Sequence, residues 1–220
     1  PICQRRQIPR MIYVFGNSHA HFFTDSAPGK FGEGEKSNEH FRSFSLGPVI
    51  AYNFIAHHFP TMIQAINQLP LKQEDPILLA IGEVDCRWHL PKQAELQKRD
   101  VKDVVHECID RFFQAHLTLQ ESGYRVVGWG GHPSTNEGHN DDPGKPIYGD
   151  VQKRNEVSLE WSDYLEEKCK KSGIEFVSII RDLINVDNST KMEYYKDYCH
   201  LDPVKYLPVV IEKFKKQGLC

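Results

Sequence analysis

Ser18 stands in the stretch Tyr13–Phe22, YVFGNSHAHF, two residues past the glycine that ends an apolar run. A serine hydroxyl attacks a carbonyl only when a base takes its proton and a third group orients that base. Just beyond a strand, at the first turn of a helix, the hydroxyl would be open to solvent and the helix N-terminus would favour developing negative charge. The same position also suits a plain helix cap. The candidate base and orienter lie far along the chain, in YYKDYCHLDP (194–203). There the D-x-x-H spacing of Asp197 and His200 lets the carboxylate hold one imidazole nitrogen while the other faces a serine. The bland alternative is a polar loop, with Asp202 capping a helix that opens at Pro203. His19 and His21 are two apart, and His57 and His58 are adjacent; neither pair has the i, i+4 spacing that sets two ligands on one helical face. No metal and no cofactor are therefore expected, and His19 and His21 read as pocket-wall and packing residues. Cys199 is adjacent to the base, hence poorly aimed to be its partner, and reads as packing.

These groups need a scaffold. Five segments read as strands: MIYVFG (11–16), FRSFSLG (41–47), PILLAIG (76–82), YRVVGWG (124–130) and IEFVSI (174–179). They are short, apolar or alternating, and most stop at glycine. Helical stripes run over 48–69, within 97–122, over 151–172 and from Pro203 to about Lys216. The alternation predicts an α/β fold with a five-stranded, mainly parallel sheet covered on both faces, in one domain spanning 1–220. Reactive groups in such sheets gather at the carboxyl ends of the strands, where Gly16, Gly47, Gly82 and Gly130 fall.

Composition narrows the function classes. The 220 residues carry a net charge of −3, with 40% hydrophobic and 26% charged residues. That leaves no basic field for nucleic acid or an anionic membrane surface. Six scattered cysteines without a CxxC pair argue against a zinc ribbon or a dense disulfide framework. PICQRRQIPR has no apolar stretch of the secretory kind, and no run approaches the roughly 18 apolar residues needed to span a bilayer. A cytoplasmic location is expected.

Taken together, FGNSHA, SLGP, GEVD and DYCHLD follow one another in the order of the blocks of the SGNH/GDSL hydrolase superfamily, which the chain resembles from residue 11 to about 217. The resemblance implies a three-layer, flavodoxin-like α/β/α fold and a Ser18–His200–Asp197 triad. It also implies an oxyanion site built from the backbone N–H groups of Ser18 and Gly47, with an asparagine side chain as third donor. Here the chain departs from the pattern, because Gly82-Glu83-Val84-Asp85 puts valine where that asparagine belongs. Losing such a donor typically costs about 10²–10³ in rate. Arg87, in the adjacent DCRWH, is the candidate replacement; the alternative pairs it with Asp85 or Glu83 as a brace. Asn17 replaces the usual aspartate and keeps its hydrogen-bonding shape. Asn17, His19, Glu83, Asp85 and His89, in or beside the blocks, and His132, in the polar segment 130–150, are the expected substrate contacts.

The polar segment 130–150, flanked by Trp129 and containing Tyr148, suits sugar binding by stacking and hydrogen bonds, and 26–40 is placed to act as a lid. The expected activity is a serine esterase that removes a small acyl group, acetyl, from a carbohydrate. Two alternatives stay open: a carbohydrate O-acetyltransferase using the same triad, and a catalytically weak carbohydrate-binding relative. The expected partner is a small-molecule or glycan ester, not nucleic acid or membrane.

Overall fold

The computed structural model describes residues 10–24, 36–135 and 147–220. Its sheet is built around β1 (Ile12–Gly16), which pairs in parallel with β3 (Phe41–Ser45) on one side and β4 (Pro76–Ala80) on the other. β5 (Arg125–Trp129) and β6 (Glu175–Val177) continue beyond β4, also parallel. The five parallel strands thus match the expected ones. A two-residue strand, β2 (Lys36–Ser37), adds an antiparallel edge against β3, inside a stretch that reads as loop in the sequence. The proposed lid lies mostly at 25–35, outside the described residues.

Burial on both faces explains why the strands read as continuous apolar runs rather than alternating ones. Tyr13, Phe15, Ile77 and Leu79 point to one core, shared with Ile109 and Phe112 of α4 (Val101–Glu121) and Trp161 of α5 (Val151–Lys171). Their strand neighbours Ile12, Val14, Leu78 and Ala80 point to the other, under Tyr206, Val210 and Phe214 of α6 (Pro203–Lys216). At Gly16 an added Cβ would sit 2.3 Å from the Ala80 carbonyl oxygen, so only glycine lets β1 end this close to β4. Side-chain caps fix where the long helices begin: Asp100, Asp150 and Asp202 accept from the N–H groups of Lys102, Lys153 and Val204.

Two elements differ from the sequence reading. The single stripe over 48–69 is a short 3₁₀ turn (Ala51–Asn53) followed by α1 (Phe54–His57) and α2 (Phe59–Ile66). Pro60 has no N–H to give and its ring would collide with the carbonyl of residue 56, so the helix breaks at His58. The segment after β4 also carries structure: a π-helical turn (Asp85–His89) runs into α3 (Leu90–Gln97).

Candidate active site

The strand order reverses at β1, since the chain passes from β1 to β3 on one side and then to β4 on the other. Ligands in open α/β sheets bind outside the carboxyl ends of strands at such a switch point. Gly16 is level with Ser45 of β3 and Ala80 of β4, so the loops after all three strands open at one edge.

Ser18 opens a 3₁₀ helix, Ser18–Thr24, and is exposed. Asn17 shapes the turn. Its Oδ1 accepts from the His19 N–H (3.1 Å), its carbonyl accepts from the Ala20 N–H (3.1 Å), and its Nδ2 donates to the Val49 carbonyl (3.2 Å). From the far end of the chain, residues 194–202 fold back on themselves. The Lys196 N–H donates to the His200 carbonyl (3.0 Å) and the Asp202 N–H to the Tyr194 carbonyl (2.8 Å). This closed loop brings His200 Nε2 to 2.9 Å from Ser18 Oγ, while His200 Nδ1 lies 2.9 Å from Asp197 Oδ2. Asp202 takes the capping role instead (Val204 N–H, 3.0 Å), so the two aspartates divide the work.

Electrostatics suit the roles. Burial alone would raise the Asp197 carboxyl, but the N–H groups of Cys199 and His200, then the His200 ring, outweigh it and bring its pKa to about 2. Burial lowers the pKa of His200 below the ordinary histidine value, and neighbouring His19 adds to this against the pull of Asp197. The imidazole is therefore a free base at neutral pH, the state a general base needs.

The cleft around Ser18 is lined by His19, Phe22, Phe23, Trp129, His132, Lys196, His200 and Leu201. Of the expected substrate contacts, His19 and His132 face it. Three others are turned inward. Asn17 is buried and spent on the turn. Asp85 is fully buried (0% exposed), its oxygens accepting from the N–H groups of Ala51 (2.8 Å) and Tyr52 (3.4 Å). Burial pushes the Asp85 pKa up to about 7. Glu83 is buried between His19 Nε2 and Arg87 Nε, at 2.8 Å from each; burial would raise its pKa, but the two partners hold it well below the carboxylate range.

Arg87 accordingly takes the bracing place, its Nε bonded to Glu83, and it does not line the cleft. His89 stands outside the lining too, half-buried with its ring against Tyr52 (5.4 Å between centroids). Gly47 adopts a positive φ (+78°) that few other residues tolerate, and its N–H rests on Ser45 Oγ at 3.3 Å. Tyr148 is fixed by its N–H to the Arg87 carbonyl (3.0 Å); residues 136–146 of the same polar segment lie outside the described ones.

Sequence reasoning passed over Phe22, Phe23, Lys196 and Leu201. The signal was available: Phe22 and Phe23 follow Ser18 on its own helix, and Lys196 and Leu201 flank the D-x-x-H pair. Among the described residues, the one set of three metal-ligating side chains within reach of each other is Asp197, Cys199 and His200, the hydrogen-bonded carboxylate and imidazole with the neighbouring thiol. The five described cysteines are free thiols.

No protein-family model matches the chain, and no curated protein does. Solved structures do. A carbohydrate acetylesterase from Sinorhizobium meliloti superposes with a TM-score of 0.55 at 14% identity, over 96% of this chain and 100% of that one. A catalytic mutant of an acetylxylan esterase from Geobacillus stearothermophilus gives 0.56 at 12% identity, over 96% and 95%. A member of the lipolytic G-D-S-L family from Veillonella parvula gives 0.52 at 14%, over 94% and 97%. The chain has the three-layer α/β/α fold of the SGNH/GDSL hydrolases.

Proposed function

We propose that the protein is a serine esterase that removes a small acyl group, acetyl, from a carbohydrate through an acyl-enzyme. The observation that carries this reading is the continuous line Ser18 Oγ–His200 Nε2–His200 Nδ1–Asp197 Oδ2, with both links at 2.9 Å. His200 takes the Ser18 proton as Oγ attacks the ester carbonyl, and Asp197 stabilises the imidazolium that forms. His200 then passes the proton to the departing sugar oxygen. In the second half a water molecule, deprotonated by His200, releases the acid and restores Ser18.

The oxyanion falls to the backbone N–H groups of Ser18 and Gly47. The present partner of Gly47, Ser45 Oγ at 3.3 Å, makes a long bond that is readily exchanged for a charged acceptor. Val84 offers nothing and Arg87 Nε is engaged with Glu83. A site with two donors is expected to run about 10²–10³ slower than one with three.

A small acyl group suits the cleft, where Phe22, Phe23, Trp129 and Leu201 stand in the wall beside Ser18. The carbohydrate rests on the acetylesterases among the similar structures; Trp129, expected to stack on a sugar, is 4% exposed and packs on Phe23 and Phe214 instead.

The test is intact mass after treatment with a small fluorophosphonate, on wild type and Ser18→Ala, followed by acetate release from acetylated xylan and glucose pentaacetate. One adduct per chain, lost in the variant, together with acetate release is the expected result. Folded wild type that takes no adduct and releases no acetate would overturn the reading.

A further inference from the structure

His132 is the least explained residue of the cleft. It follows β5 at the same sheet edge as Ser18 and is 5% exposed. Its ring meets that of His19 edge-on, with centroids 4.6 Å apart, and His19 in turn lies 5.0 Å from His200. One ring nitrogen, Nδ1, donates to the Cys199 carbonyl. The other, Nε2, has no hydrogen-bond partner among the described residues. A buried acceptor left empty is destabilising, and native structures rarely keep one without a use.

The ring cannot swing away to find a donor, because the backbone that carries it is pinned at each following residue. The Pro133 carbonyl accepts from Tyr195 Oη (2.6 Å) and the Ser134 N–H donates to Asn155 Oδ1 (2.8 Å). The Thr135 carbonyl accepts from Arg154 Nη2 (2.8 Å). Nor can the neighbouring imidazole supply the hydrogen from Nε2, which is already committed to Glu83. Phe22, Phe23 and Leu201 give apolar wall to the same cleft that His132 lines.

We propose that His132 Nε2 is a preformed acceptor for a hydroxyl group of the bound ester, adjacent to the ester linkage, and so selects hydroxylated substrates. This rests on the esterase reading. Burial, with His19 next, holds the His132 pKa down at about 3, so the lone pair stays available across the neutral range. A carbonyl or carboxylate would be repelled by that lone pair, and an ammonium group by Lys196 at the rim. A neutral hydroxyl fits. It can come from the acyl group, as in a hydroxyacyl ester, or from the alcohol, as in the free hydroxyl beside an acetylated sugar position.

Two pairs of esters distinguish the sources. The first is p-nitrophenyl glycolate against the isosteric propionate. The second is trans-cyclohexane-1,2-diol monoacetate against cyclohexyl acetate. A site that hydrogen-bonds a substrate hydroxyl discriminates against the analogue that lacks it. After correction for the uncatalysed rates, we expect kcat/KM to favour the hydroxylated member of one pair by about 10-fold or more. His132→Phe should bring that ratio near 1, and His132→Asn, which keeps an acceptor, should retain part of it.

Turnover of both pairs by wild type with ratios within about 2-fold would overturn the proposal and leave the esterase standing, with Nε2 holding only an ordered water. A preference that persists in His132→Phe would also overturn it. If none of the four esters is turned over, the esterase reading fails and this one with it.

Discussion

At the scale of single residues, the base and the brace make opposite demands. On the proposed esterase reading His200 works only as the neutral imidazole, so kcat/KM should rise with pH as its proton leaves. Burial and His19 depress its pKa, which places the inflection below the ordinary histidine value of about 6.5. Asp197, at about 2, stays ionised throughout that rise and adds no second limb. A profile flat from pH 4.5 to 8, or an inflection above 7, would remove His200 from the role.

Arg87 poses the other question, because its permanent charge could serve an oxyanion or a buried acid. With Arg87 and Glu83 both buried and 2.8 Å apart, removing Arg87 leaves the buried Glu83 carboxylate only its His19 contact, at a cost of up to about 3–5 kcal/mol. Arg87→Ala should therefore lower the urea midpoint. A normal midpoint with a rate loss of 10-fold or more would instead make it an oxyanion donor. The sequence carries the residue types and spacing of the triad, and the structure brings Ser18, His200 and Asp197 together. What it does not carry is direction. Asn17, Glu83 and Asp85 sit in the same blocks as the reactive groups, yet buried N–H groups and cations compete for them and turn them inward.

Elements meet at Asp85, where the loop after β4 holds the start of the helical segment after β3. The Ala51 and Tyr52 N–H groups have no intrahelical partner there, and the carboxyl receives both. Its folded-state pKa of about 7 lies above the ordinary aspartate value. A raised pKa means that the folded state binds the proton more tightly than the unfolded state. Its contribution to stability is full below about pH 4 and is lost as pH rises toward 7. Asp85→Asn keeps an acceptor oxygen without the charge, so it should gain on wild type as pH rises. Urea midpoints of both proteins at pH 5 and 8 test this, and a gap that does not widen in favour of asparagine would refute it. Glu83 does not confuse the comparison, since its depressed pKa places its own loss below the usual carboxylate range.

The same corner shows why helix detail was hard to read. An apolar stripe over 48–69 fixes which face is buried, but one proline decides whether the stripe is one helix or two. The DCRWH turn, wound as a π-helix, has no periodicity that five residues could reveal.

For the whole molecule, the site exists only as a consequence of topology. Ser18 and His200 are separated by 182 positions. They meet because β1 lies at the switch point and the loop that carries His200 leads straight into α6, which packs against the Ser18–Thr24 helix. α6 is held by Tyr206, Val210 and Phe214 against Ile12, Val14 and Phe41, on the face of the sheet opposite Trp161. This large-scale order was legible because strand ends, glycines and block order all agree, a consistency that local ambiguity at a helix break does not disturb. It also makes the site a reporter of global folding. If α6 docks as part of one cooperative unit, fluorophosphonate labelling of Ser18 and tryptophan fluorescence should be lost at the same urea concentration. Trp129 and Trp161 lie in the two separate cores, so the fluorescence reports both faces of the sheet. Phe214→Ala removes a fully buried ring and should cost about 3–5 kcal/mol, moving both midpoints down by equal amounts. Labelling lost together with only part of the fluorescence, the Trp161 core unfolding at higher urea, in wild type or variant, would make α6 a separately unfolding element.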